Sequence, residues 1–175
     1  MTCTSFLFCT ITEAQSSWKF RSSEWLGIVQ GEMGAYGQVQ SVNGLYHRSW
    51  FIGAGIGLDN YRYRSIPLFL SVTRGLLHVG ARHSLFAGLD GGTNFPWCRY
   101  QLPYTFPSSY STFHPGLYWN ARIGYRFNLS EQHGQALLFS AGYSYKALRE
   151  DRPTIPKNTY EYYNRRVSLL VGWQF

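Results

Sequence analysis

The residues able to do chemistry are few and poorly grouped. Five His occur, at His47, His78, His83, His114 and His133, with three Cys and 9 Asp+Glu in 175 residues. Hydrolysis of a lipid ester would need a Ser, a His and an acid together on one strand face. The imidazole then takes the hydroxyl proton while the acid orients the ring. The His are not so placed. His78, His83 and His133 fall in short polar connections, His47 follows an Asn-Gly pair, and His114 lies in a long aromatic connection. His78 and His83 are too far apart within a turn to form a metal-ligand pair, and Cys3, Cys9 and Cys98 have neither zinc spacing nor a disulfide framework. Gly53, Gly55 and Gly57 recur at strand period, unlike a phosphate-cradling loop. The expectation is no catalytic residue, no cofactor and no metal.

A second set is more promising. Asp59, Asp90, Arg122, Arg126, Lys146 and Arg166 each sit on the small, polar side of an alternating segment. Such a set can be a proton or ion path, or a salt-bridge network that plugs a narrow bore. The plug is favoured, because buried charges persist only when paired and a small barrel is filled by its own side chains.

These charges need strands to position them. Period-two alternation recurs in eight segments: 25–32, 35–43, 49–61, 65–73, 84–92, 116–127, 136–146 and 165–175. In the sixth, Leu117, Trp119, Ala121, Ile123, Tyr125 and Phe127 oppose Tyr118, Asn120, Arg122, Gly124 and Arg126. Asn43-Gly44 reads as the hairpin turn between the second and third segments. Two connections are long, 98–116 and 148–160, the latter holding Pro153 and Pro156, which a central strand would not accept. Both follow odd-numbered segments, so both fall at one end of an up-and-down array, with tight turns at the other. A closed eight-stranded antiparallel up-and-down β-barrel is the simplest solution.

Composition supports all-β structure and selects its surroundings. Aromatic residues make up 18% and charged residues only 14%, with 18 Gly, so good helix formers are scarce. The net charge of +7 comes from dispersed Arg with no basic tract, which argues against nucleic acid and for contact with acidic lipid headgroups. A soluble lipocalin-like barrel would turn its apolar face inward around a ligand. The reverse, with small and charged groups inside and the apolar band against lipid, suits strands of this length, and aromatic rings such as Trp173, Tyr61, Tyr63 and Tyr145 fit interfacial girdles. The reading is a transmembrane barrel; a soluble ligand-binding barrel and a lipid-modifying enzyme are its rivals.

At the N-terminus, Thr12 and Ala14 suit signal-peptidase cleavage before Gln15, although no Lys or Arg precedes Lys19. Residues 1–14 are therefore expected to be a signal peptide whose true start lies upstream, 15–24 a lead-in, and 25–175 the barrel. At the other end, Val167, Leu169, Val171, Trp173 and Phe175 alternate with Arg166, Ser168, Leu170, Gly172 and Gln174.

That closing pattern resembles the C-terminal β-signal of bacterial outer-membrane proteins, and the chain after Gln15 resembles small eight-stranded barrels of the OmpA/OmpX type. The stretches GLDNYRYRSIPLFLS and DGGTNFPW are similar to outer-membrane barrels of Bacteroidota. The resemblance implies location in the bacterial outer membrane, contact with its lipid, and recognition by the barrel-assembly machinery. It brings no catalytic residue. The loop 98–116, with Tyr100, Tyr104, Phe106, Tyr110, Phe113 and three Pro, is the candidate recognition element. It can bind a protein or glycan, or pack down as a lid.

Overall fold

The computed structural model describes residues 18–80, 82–97, 111–129, 134–152 and 158–175. Nine strands follow one another: β1 (Lys19–Gly31), β2 (Gly34–His47), β3 (Trp50–Asp59), β4 (Ser65–His78), β5 (His83–Pro96), β6 (Thr112–His114), β7 (Gly116–Asn128), β8 (Ala136–Arg152) and β9 (Asn158–Gln174). Eight form a wall of antiparallel neighbours, and β9 returns to β1 with Ser23 opposite Gln174 and Gly31 opposite Arg166. The wall is closed. The three-residue β6 stands outside this circuit and pairs with the top of β8, Phe113 opposite Glu150.

Alternation places the side chains as a lipid-facing barrel requires. Ile52, Ile56, Leu70, Leu89, Ile123, Phe139 and Leu169 point outward and are exposed, while Asp59, Asp90, Asn120, Arg122, Lys146 and Arg166 are buried in the bore. This is the inverse of a soluble ligand-binding barrel. The bore is layered. Trp25, Phe51, Phe69, Phe86, Leu138 and Leu170 build an apolar cluster, and glycines admit it: a Cβ on Gly172 would lie 2.6 Å from the Trp25 ring, and one on Gly55 2.4 Å from the Phe69 ring.

Several local expectations are corrected. Asn43 and Gly44 lie inside β2, which runs on so that Leu45, Tyr46 and His47 pair with Ile52, Phe51 and Trp50. The chain reverses instead at Arg48, held at φ 54°, and Ser49. Gly44 serves a close approach rather than a turn, since a Cβ there would stand 2.2 Å from the Ile52 carbonyl oxygen. The first strand starts at Lys19, within the stretch read as lead-in. The connection 148–160 is largely ladder, because β8 continues to Arg152 and β9 begins at Asn158; Pro153, Pro156 and the leader 1–14 lie outside the described residues. Tyr61 is buried, at 1% exposure, so it belongs to the bore and not to a lipid-facing girdle.

Candidate functional site: the filled bore and its mouth

Two ionic layers cross the bore. In the upper one Asp59, the last residue of β3, accepts from Arg166 of β9 on one oxygen. Its other oxygen accepts from the Tyr61 amide at 2.8 Å and lies 3.6 Å from Lys146 Nζ of β8. Lys146 also donates to the carbonyls of Tyr61 at 3.0 Å and Tyr63 at 2.9 Å. In the lower layer Arg122 of β7 meets Asp90 of β5 at 3.3 Å and Ser71 of β4 at 3.2 Å, and Asn120 donates to Asp90 at 3.0 Å. Each guanidinium also covers a ring: Arg166 over Tyr61 at 5.3 Å, Arg122 over Trp25 at 4.9 Å.

Five of the six charges read from sequence therefore form these layers. Arg126 does not. It lies at the tight-turn end, its guanidinium over the Tyr46 ring at 5.5 Å, with Arg21 over the same ring at 4.3 Å. Alternation could place Arg126 inward but could not say which partner shared its height. Sequence reasoning also passed over the Gln40–Tyr118 hydrogen bond, 2.8 Å long and buried between the layers' strands.

Above the rim, the upper part of the β8–β9 hairpin carries a third polar cluster. Glu150 accepts from Arg152 at 2.8 Å and from the Tyr162 hydroxyl at 2.6 Å. Burial would push this carboxyl up, but hydrogen bonds from Arg152, Tyr162 and Ser111 outweigh it and hold the group below its ordinary value. Phe113 of β6 packs on Tyr63 at 4.9 Å, Tyr63 on Tyr162 at 5.5 Å, and Arg62 lies over Tyr162 at 4.1 Å. Phe113 thus links β6 to the connection between β3 and β4. Tyr100, Tyr104, Phe106 and Tyr110 lie outside the described residues. Four described His stand at the barrel ends: His47 stacks on Trp18, His78 closes β4 opposite Ser84, His83 contacts Tyr125, and His114 is 3.3 Å from Asp151. Among the described residues no group of three metal-ligating side chains occurs.

The closing residues Val167, Leu169, Val171, Trp173 and Phe175 all face outward and are exposed. Phe175 exchanges two backbone hydrogen bonds with Ser22, at 2.9 and 3.0 Å. One outward feature was unforeseen. On the β1–β2 wall Glu24 accepts from Ser41 at 2.8 Å, and the single hydroxyl proton of Ser22 is shared between Asn43 at 2.8 Å and Glu24 at 3.2 Å.

No protein-family model matches the chain, and no curated protein matches it in sequence. Solved structures do match in shape. Neisserial surface protein A superposes with a TM-score of 0.58 at 11% identity, covering 90% of this chain and 95% of that one. The N-terminal β-barrel domain of Pseudomonas aeruginosa OprF gives 0.52 at 8%, covering 89% and 97%. The fold is that of an outer-membrane β-barrel. A major outer membrane protein from Thermus thermophilus adds a third case, with a TM-score of 0.51 at 14% identity, covering 90% of this barrel and 100% of that chain. At such identities the likeness concerns the course of the backbone, and the side chains filling this barrel must be argued on their own geometry.

Proposed function

We propose that the chain is a non-catalytic bacterial outer-membrane barrel with a plugged bore, acting in surface attachment or partner docking through its mouth. The observation that carries this is the pairing of an outward apolar wall with a bore crossed by two buried ionic layers. A wall of exposed Leu, Ile and Val is unfavourable in water and favourable in lipid. A bore crossed, among the described residues, by paired charges and rings supports a plug rather than the wet channel of a wide porin. Function then falls to the end where β8 and β9 rise beyond their neighbours and Phe113 packs on Tyr63. The β-signal pattern on β9 supports recognition of Val167, Leu169, Val171, Trp173 and Phe175 by the assembly machinery, because these five line its outer face along the seam with β1.

The test uses whole cells producing the barrel with residues 99–110 replaced by a short Gly-Ser linker. Equal levels of heat-modifiable barrel in the membrane fraction, with reduced attachment to glycan- or protein-coated surfaces, are expected. Unchanged attachment would refute the role of the mouth, and recovery of the chain in the soluble fraction would refute the membrane reading itself.

A further inference from the structure

On the outer wall, near the end of the long connections, a groove of about 290 Å³ lies beneath an arginine. Its apolar floor comes from Leu26, Val39 and Leu58, consecutive cross-strand partners on β1, β2 and β3. The next row up contains Gly37, where a Cβ would meet nothing within 4 Å. A side chain would fit there, and its absence is what opens the notch. At the head of the groove stand Asn60, Arg64 and Trp97. Trp97 donates its amide to the Arg64 carbonyl at 2.8 Å, and the Arg64 guanidinium lies 5.6 Å from the Trp97 ring centroid, so the two are tethered.

Arg64 differs from the arginines of the bore. Arg122 and Arg166 meet carboxylates, whereas Arg64 is exposed and, among the described residues, has a ring but no acid. A cation at the interface, stiffened by an indole and set above an apolar slot, matches a lipid whose phosphate lies at headgroup depth and whose acyl chain runs down the wall. With the mouth at the cell surface, as the proposed function requires, the rim nearest the long connections lies in the outer leaflet, whose anionic lipid is a phosphorylated glycolipid. Trp97 offers a flat face to a sugar ring and Asn60 an amide to its hydroxyls.

We infer that the Arg64–Trp97–Asn60 head and the Leu26–Val39–Leu58 groove bind a phosphorylated glycolipid of lipid A type, phosphate on Arg64 and one acyl chain in the notch at Gly37. The inference rests on the membrane orientation proposed above, and the test separates the two. Folded barrel in detergent micelles is titrated with diphosphorylated lipid A, dephosphorylated lipid A and phosphatidylglycerol, and retained lipid is read by native mass spectrometry. Removing the phosphates is expected to weaken retention about tenfold, the scale of one charge-assisted contact. R64Q should show the same loss with no further loss on dephosphorylation, and Gly37→Leu should lower retention by filling the notch. R149Q, at an arginine that already meets Asp151 at 3.4 Å above the rim, should leave retention unchanged. Wild-type retention by R64Q, or an equal loss in R149Q, would overturn the site. Equal retention of phosphatidylglycerol would overturn the assignment to the glycolipid. Heat-modifiable mobility of each variant reports the barrel independently, so a failed lipid site leaves the membrane reading standing.

Discussion

Asp59→Asn removes one charge and almost no volume, and the structure makes its cost large. Two cations converge on Asp59: Arg166 on one oxygen and Lys146 3.6 Å from the other, all three side chains fully buried. Breaking a buried ion pair by neutralising one partner costs about 3–5 kcal/mol, because the stranded charge has lost its compensation. Here two charges are stranded, so the upper end applies, about 5 kcal/mol. The carboxamide can still accept from the Tyr61 amide, and Lys146 keeps its two carbonyls, so the loss isolates charge from shape. The assay is equilibrium urea unfolding of the barrel refolded in lipid vesicles, followed by tryptophan fluorescence and by gel mobility. The partner variant K146M and the double variant complete a cycle. If the layer acts as a unit, the double variant costs less than the sum of the singles by about 0.5–3 kcal/mol. A D59N stability within about 0.5 kcal/mol of the parent, the usual range for an inconsequential surface change, would refute the ionic layer as a stabilising plug.

Further outcomes follow from other contacts. Deleting Phe175 removes both backbone bonds to Ser22 and an outward ring, and should lower the amount of assembled barrel in cells; undiminished surface-exposed protein would count against β-signal recognition. Tyr118→Phe leaves the Gln40 amide without its acceptor and should destabilise by about 1–3 kcal/mol in the same urea assay. The Glu150 cluster predicts a pH effect confined to the hairpin. Its carboxyl titrates below the ordinary 4.5, so its contribution is complete above that value and is lost as pH falls through the lower folded-state value. Amide protection factors in Leu148–Arg152, referred to the intrinsic exchange rate at each pH, should therefore fall under acid in the parent, and E150Q should abolish that fall.

Much of the barrel was legible because its physics is local. Inward and outward positions follow from period two, so Asp59 and Trp119 could be placed on opposite faces without coordinates. What failed depends on height along the barrel or on partners far in sequence. Asn43-Gly44 has turn chemistry, but in this barrel the glycine relieves a contact with Ile52, and the ladder gained by Leu45, Tyr46 and His47 outweighs the turn preference. Tyr61 sits just past a strand end, where alternation stops giving direction, and the bore takes it because its hydroxyl accepts from the Met33 amide at 2.9 Å. Arg126 shares a face with Arg122 but stands four residues along β7, with its guanidinium over the Tyr46 ring. Glu24 falls in the stretch read as lead-in, so alternation assigned it no face, and the hydroxyls beside it come from β1 and the neighbouring β2.

The layering of the bore has a statistical meaning. If the bore is plugged as proposed, the Asp59 and Asp90 layers, which share no residue, act as two locks in series, and a continuous leak requires both to be open at once. If each opens at a cost of about 3–5 kcal/mol and the costs add for independent sites, the joint probability falls to about one in ten thousand or less. A single layer would leave a barrel that flickers; two make rare the coincidence on which leakage depends.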